Sequence, residues 1–336
     1  MKAARLQSPR KPLAIVELED PKPGPDEIVV KIASSGVCHS DLHMAKGEFK
    51  GVKYPITLGH EPAGYVHEIG SRVRNLRRGQ PVLVYAGSGC GQCSWCLRGE
   101  ENYCESGEFF GFDRDGANAE YLLVSFSRYL FPIPGLSIDE ACPLACAGIT
   151  AYHAVKAEAL PGLEPKDYVV VIGIGGLGHI GVQLLKRLSS SQIIAVDKRE
   201  ESLSLAEKLG ADHLILAGKD LAKQILHVSR KKVCAVIDFV GSDLTLGPAY
   251  EVLGPGGRLV IVGEAGGSFK VAASSIMGRE IHGSIYGSLG EMQELVALAT
   301  QKQFRVMVKS YPLKEVNDVL KMLEEGHILG RAVLKP

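Results

Sequence analysis

Val169-Val170-Val171-Ile172-Gly173-Ile174-Gly175-Gly176-Leu177-Gly178 is the stretch on which the fold of this chain turns. Four β-branched residues in a row read as a strand buried on both faces. The strand runs directly into Gly-x-Gly-x-x-Gly, and an apolar helical pattern follows. Glycines at these places permit a tight turn and a close approach of the backbone to a pyrophosphate. The helix then offers free N–H groups and partial positive charge to the phosphates. Gly173, Gly175, Gly176, Leu177 and Gly178 are therefore candidate cofactor-binding positions. The next strand ends in Asp197, about 20 residues further on, where an acid accepts the adenosine ribose hydroxyls and repels a 2′-phosphate. That favours NAD over NADP. Lys198 and Arg199 follow at once and pull the other way, and Arg199 is counted among the cofactor contacts.

The surroundings repeat the pattern. Apolar, β-branched runs at 168–172, 192–196, 213–216, 233–240, 258–262 and 280–286 alternate with helix-like stretches at 177–188, 200–209, 220–229 and 244–253. Such alternation predicts βαβ units and a parallel, doubly wound α/β sheet of the Rossmann kind. The first half differs. Pro21-Lys22-Pro23-Gly24-Pro25 is a turn-rich break, and 27–33, 64–69 and 81–85 read as short strands bounded by Gly, Pro and charge. A β-rich domain is expected there. A helix near 313–325 and a strand at 332–334 suggest that the C-terminal tail returns to it.

Composition excludes several classes. Of 336 residues, 46% are hydrophobic and 23% charged, and Lys plus Arg equals Asp plus Glu at 38 each. That balance points to neither nucleic acid nor a membrane surface. No run approaches the roughly 18–20 apolar residues of a membrane span, and the start lacks a secretion signal. A cytoplasmic protein is expected.

Four of the eight cysteines form Cys90-x2-Cys93-x2-Cys96-x7-Cys104. Four thiolates so spaced can close a tetrahedral shell around one Zn²⁺, leaving no open position, which makes the site structural. A second constellation is dispersed: Gly36-Val37-Cys38-His39-Ser40-Asp41-Leu42-His43, then Gly59-His60-Glu61, then Leu144-Ala145-Cys146-Ala147-Gly148. Taken singly, a buried Cys is usually a small hydrophobe and a lone His a hydrogen-bonded core residue. Their joint presence beside a nucleotide fold changes the weighing.

In this order the pieces GVCHSD, GHE, the four-cysteine lobe, PLACAGIT, GIGGLG and the later Asp resemble the zinc-containing medium-chain alcohol dehydrogenases, the shorter bacterial and archaeal forms above all. The likeness spans essentially the whole chain. It implies a GroES-like β-barrel catalytic domain, 1–152 and 288–336, around a Rossmann NAD-binding domain, 153–287, with the active site between them and a homotetramer as the assembly. It makes Cys38, His60 and Cys146 ligands of a second, catalytic zinc. Glu61 stands at a place that either ligates zinc or sits behind it, and Asp41 orients the zinc-binding imidazole. Cys142 is the alternative third ligand. The resemblance also sets His39 and Arg331 on the cofactor phosphates and Thr150, Val240 and Val262 at the nicotinamide. Ser40 and His43 fall at the positions of a proton relay.

The activity implied is reversible hydride transfer from a zinc-held primary or secondary alcohol to NAD, giving an aldehyde or ketone. Polyol, threonine or aldehyde-handling dehydrogenases share these features, whereas zinc-free reductases lack the Cys38, His60 and Cys146 set. A structural protein keeping only the four-cysteine lobe would bind metal without reducing NAD. Finally, Gly87 falls about where many relatives carry an aromatic pocket wall, while Phe49 and Phe109 stand where relatives place other pocket hydrophobes, with Phe110 adjacent. An enlarged pocket for bulkier alcohols is expected.

Overall fold

A computed structural model describes all of residues 1–336. The chain folds as two compact units, Met1–Ala147 with Gly287–Pro336, and Gly148–Tyr286. The break falls a few residues before the sequence reading placed it, because a helix, Ala147–His153, runs through that point without interruption.

The second unit is a six-stranded parallel sheet in the order His213–Leu216, Gln192–Asp197, Tyr168–Ile172, Val233–Asp238, Leu253–Ile261, Glu280–Gly283. The order reverses between Tyr168–Ile172 and Val233–Asp238, and in open α/β sheets ligands bind beyond the carboxyl ends of the strands at such a point. Val169, Val170 and Val171 are fully buried. Cover on both faces explains why the strand reads as a continuous apolar run rather than an alternation. Two strands end earlier than their apolar runs suggest, at Asp238 and Gly283. At the first, the Asp238 carboxylate captures the N–H groups of Val240 (2.8 Å) and Gly241 (3.0 Å), which turns the chain out of the ladder. A π-helical turn, Ala154–Ala159, had no counterpart in the sequence pattern.

The first unit is built on the strand Ile28–Val37. It pairs antiparallel with Glu61–Ile69, Tyr121–Val124 and the C-terminal strand Arg331–Lys335. The tail is thus part of this unit. A smaller sheet joins Lys2–Leu6, Ala14–Glu17 and Ile56–Thr57. Leu6, Val37, Leu42, Met44, Leu58, Val319 and Leu334 share one core. At about 1.5–3 kcal/mol for each large apolar side chain taken from water, this packing fixes the backbone on both sides of Cys38. No helix of the chain is long and apolar enough to cross a membrane.

Candidate active site

The strand Ile28–Val37 ends at Cys38, which caps the helix His39–Lys46. Asp41, the third helical residue, accepts the Cys38 N–H at 2.8 Å, and Gly47 closes the helix in the left-handed region at φ 73°. One short turn therefore carries Cys38, Ser40, Asp41 and His43. The register Gly36↔Glu61 lays the start of the next strand alongside it, bringing His60 and Glu61. Cys146 follows the 3₁₀ turn Cys142–Ala145. One ligand atom from each of Cys38, His60, Glu61 and Cys146 falls within 4.8 Å of the others.

The donor chemistry fits a metal. His60 is buried, and neither of its ring nitrogens makes a hydrogen bond, an arrangement a native core rarely tolerates without a partner. Asp41 Oδ1 stands 3.5 Å from His60 Nδ1, an ion-pair distance that orients the ring, and also accepts the Gly59 N–H at 3.3 Å. Hydrogen bonding from the Cys146 thiol, aided by His60, holds Cys38 well below the usual thiol range, and the same bond holds Cys146 well above it. Burial pulls His60 down, but Asp41 and Cys38 lift it well above the usual imidazole range. Without metal the cluster keeps protons that a divalent cation displaces. Cys142 makes a bond to the Asp139 carbonyl at 3.6 Å and is not in the cluster.

Glu61 lies behind this set. Burial pushes its carboxyl up to about 7 against the opposing pull of Arg331. The Arg331 Nη2 donates to Glu61 Oε1, which also accepts the Ala147 N–H at 3.3 Å, while Oε2 has no partner. A Cβ at Gly36 would collide with that carboxylate, so the glycine is what admits it. The resemblance sets Arg331 on the cofactor phosphates; here its guanidinium is buried with Nη2 engaged by Glu61, while its Nε makes no hydrogen bond. The pairing Ala332↔Val37 aims the first residue of the tail strand at the metal cluster.

Ser40 Oγ lies 4.0 Å from Cys38 Sγ. His43 is half-buried, 3.9 Å from Glu48 Oε2, and His39 stands on the exposed side of the helix. Beside them is an aromatic wall that the sequence reading only partly found. Phe112 meets His60 edge-on at 5.1 Å, Phe49 at 5.5 Å and Phe109 at 6.5 Å. The expected extra volume at Gly87 is absent: Phe109 ring atoms stand 3.0 Å from where a Cβ would be, and the Tyr85 ring 3.4 Å away. Gly87 makes room for Phe109, not for a larger substrate. Phe110 is buried beneath the Arg114 guanidinium at 3.9 Å and belongs to the core.

The four-cysteine lobe is compact. Cys90 Sγ and Cys96 Sγ are 4.0 Å apart and Cys93 Sγ and Cys104 Sγ 3.8 Å apart. A tetrahedron with metal–sulfur bonds of about 2.3 Å has edges of about 3.8 Å. Backbone N–H groups face the sulfurs: Cys93 to Cys90 at 3.4 Å, Cys96 to Cys93 at 3.5 Å and Cys90 to Cys104 at 3.3 Å. Those of Gln92 and Cys93 lower the Cys90 thiol to about 6.

In the second unit the glycines divide their roles. Gly173 turns the chain at φ 88°, and a Cβ at Gly178 would strike the Gly173 carbonyl. A Cβ at Gly175 would meet nothing within 4 Å, so this glycine leaves a cradle open to a ligand. Asp197 Oδ2 accepts the Ile174 N–H at 2.7 Å and Oδ1 the Arg199 N–H at 2.9 Å. The acid thus braces the loop. Val240 and Val262 both hang on Asp238, through its side chain at 2.8 Å and its carbonyl at 2.9 Å. Asp238 is fully buried with Oδ2 unpartnered, and sequence reasoning passed it over as an ordinary strand residue. Thr150 is half-buried on the helix Ala147–His153.

A nucleotide-binding sheet joined to a unit with one open and one closed thiolate cluster defines a zinc-dependent dehydrogenase. Comparison with known proteins narrows the class. Residues 24–135 match the alcohol dehydrogenase GroES-like domain and residues 176–301 the zinc-binding dehydrogenase domain. An NAD-dependent alcohol dehydrogenase of Sulfurisphaera tokodaii is 39% identical over the full length of both chains. The crystal structure of the alcohol dehydrogenase of the hyperthermophilic archaeon Aeropyrum pernix superposes with a TM-score of 0.94 at 44% identity, covering all of both chains. The D-arabinose dehydrogenase of Sulfolobus solfataricus superposes at 0.87 with 31% identity, over all of this chain and 99% of that one. The chain belongs to the zinc-containing medium-chain alcohol dehydrogenase family.

Proposed function

We propose that this protein oxidises apolar primary or secondary alcohols to aldehydes or ketones, reversibly, with NAD and two zinc ions per chain, one catalytic and one structural. The observation that carries the reading is the buried Cys38, His60, Glu61 and Cys146 cluster, with Ser40 Oγ beside Cys38. When bound, zinc supplies a Lewis acid for the alcohol oxygen and NAD supplies a hydride acceptor.

The chain's own residues do the rest. Cys38, His60 and Cys146 would hold the metal, with Glu61 behind them and neutralised by Arg331. Asp41 keeps the His60 ring oriented. Ser40 accepts the alcohol proton and His43, half-buried next to Glu48, passes it to water. The open cradle at Gly175 admits the pyrophosphate, and Asp197 favours a free ribose hydroxyl. His39 faces the phosphates, Arg199 stands beside Asp197 at the adenosine ribose, and Thr150 and the backbone at Val240 and Val262 face the nicotinamide.

Phe49, Phe109 and Phe112 offer an apolar wall and no hydrogen-bonding group, which disfavours a polyhydroxy substrate such as a sugar. We further propose a cytoplasmic homotetramer. All eight cysteines are unpaired, in keeping with a reducing compartment. Around the edge strand Glu280–Gly283, Ile276, Met277, Ile281 and Ile285 are 40%, 80%, 37% and 56% exposed, an apolar surface suited to a second copy. Light scattering tests the assembly. The deciding experiment is NADH formation over primary, secondary, aromatic and polyhydroxy alcohols, run beside zinc analysis. Activity confined to polyols, or present without zinc, would overturn the reading.

A further inference from the structure

The four-cysteine lobe carries a side chain that the metal does not use. Glu101 lies on the 3₁₀ turn Glu101–Tyr103, between the ligands Cys96 and Cys104. Its Oε1 accepts the backbone N–H of Leu289. Leu289 is the first residue of the helix Leu289–Thr300, so this N–H is among the four that a helix leaves without an internal partner. The rest of that end is provided for locally. Ser288 accepts from the Glu291 N–H at 3.2 Å and Glu291 Oε2 accepts from the Ser288 N–H at 2.8 Å. Two residues earlier, the buried Tyr85 hydroxyl donates to the Gly287 carbonyl at 2.7 Å. The segment 287–289, where the chain re-enters the first unit, is thus held by Tyr85 and by a carboxylate delivered from the lobe.

The held helix leads to the other metal cluster. Leu289–Thr300 packs against the turn Cys142–Ala145, and that turn ends at Cys146. Met292, Leu295 and Val296 are buried along the helix, so a shift of its first turn is not absorbed by loose packing. Gly89 lets the lobe close up on Glu101: a Cβ there would stand 2.7 Å from Cys96 Sγ and 2.8 Å from the Glu101 Cβ.

We propose that Glu101 is a positioning residue through which the four-cysteine lobe sets the place of Cys146, by anchoring the helix Leu289–Thr300 at its first amide. The closed cluster then does more than stabilise its own loop. It holds a ligand of the open cluster by way of one carboxylate, one helix and one turn. The inference rests on the proposed metal role of Cys146, and its first readout is chosen to be independent of that role.

That readout is amide hydrogen exchange at Leu289 in the zinc-loaded enzyme. A charge-assisted hydrogen bond lost from this N–H corresponds to roughly tenfold to a hundredfold faster exchange in Glu101→Ala. Glu101→Gln, which keeps an acceptor but not the charge, should recover most of the protection. The second readout is zinc release to a chelator, where two phases are expected. In Glu101→Ala the catalytic-site phase should quicken several-fold while both zinc ions are still present at the start. NAD binding by the second unit, followed by fluorescence, should not change. Unaltered exchange at Leu289 overturns the anchor. Faster exchange with an unaltered catalytic-site phase overturns the link to Cys146, whatever the alcohol assays show. If Glu101→Ala fails to fold, Glu101→Met, which keeps the bulk of the side chain but offers no acceptor, reports on the same amide and the same zinc phase.

Discussion

The two thiolate clusters use the same chemistry and are built in opposite ways. The lobe takes Cys90, Cys93, Cys96 and Cys104 from one short loop, with backbone N–H groups on its sulfurs. The other cluster takes Cys38, His60 and Cys146 from three separate segments, and surrounds them with Asp41, Glu61 and Arg331. A local loop can wrap an ion completely, and it gains much of its order from doing so. A dispersed site is held by the sheet whether or not a metal is present. It can therefore leave one position open, and its charges are set by neighbours rather than by the chain turning on itself. The difference assigns stability to one cluster and reactivity to the other.

The largest expected effect tests that division directly. Cys38→Ala should remove essentially all NAD-linked turnover and one zinc per chain, with circular dichroism and melting little changed. Cys93→Ala should do the reverse, losing the lobe's zinc and lowering Tm by about 3–4 °C, as a loss of about 2–3 kcal/mol does in a chain of this size. Residual turnover per folded molecule should remain. A fully active Cys38→Ala enzyme would end the assignment of the open site.

The relay comes next in size. Ser40→Ala should lower kcat on the order of a hundredfold, the usual worth of a positioned proton acceptor. His43→Ala should cost less, because water replaces a terminal member. Normal turnover in Ser40→Ala would remove the serine from the proposal.

Loading of the dispersed site should also depend on pH in a definite direction. His60 and Cys146 sit above their usual ranges when no metal is bound. Protons therefore compete with the ion, and zinc affinity should fall as pH falls, with proton release measurable by calorimetry in buffers of different ionisation enthalpy. The lobe should respond to acid as well, because burial pushes the Cys96 thiol up to about 12 even though backbone N–H groups lower Cys90 to about 6. Zinc affinity of the open site that does not change with pH would show that the protons on His60 and Cys146 do not compete with the ion.

What could be read from the chain follows the same contrast. The lobe and the glycine-rich turn were legible because their parts are close in sequence and the spacing itself carries the geometry. Asp197 was legible because a strand end fixes its place. The dispersed ligands were legible only through family resemblance, since no spacing links Cys38 to Cys146. The pairing of Arg331 with Glu61 was not legible, because the direction of that side chain depends on the register Ala332↔Val37, which no local pattern encodes. Asp238 looks like any strand residue until its carboxylate is seen to hold Val240 and Gly241.

The cofactor end gives a smaller effect than the sequence alone would suggest. Asp197 braces the loop through the Ile174 N–H, so Asp197→Ala should weaken NAD by loosening the turn as well as by losing the ribose contact. NADP should gain little. Asp197→Asn retains an acceptor for Ile174 and should separate the two contributions: NAD weakened modestly and the ratio toward NADP improved several-fold. An unmodified enzyme that prefers NADP would refute the reading of this residue.

The smallest effect concerns the wall beside the open cluster, where Phe112, which the sequence did not single out, matters more than Gly87. Gly87→Trp does not fill a void. A ring there must expel Phe109, whose atoms already stand 3.0 Å from the Cβ position, and overpacking of that kind typically costs about 1–3 kcal/mol. Phe112 is the better probe, because it touches His60, Phe49 and Phe109 at once. Phe112→Ala removes a ring from beside the metal ligand without crowding another. With that space opened, kcat/KM should rise for branched or aromatic alcohols relative to ethanol by several-fold. The gain per added methylene should move toward the roughly fourfold limit that full burial allows at about 0.8 kcal/mol. Ethanol itself should be used less well, because a small alcohol loses its wall. If the ratio of benzyl alcohol to ethanol is the same in Phe112→Ala as in the unaltered enzyme, the three phenylalanines pack the His60 side of the cluster and the substrate is bounded by other residues.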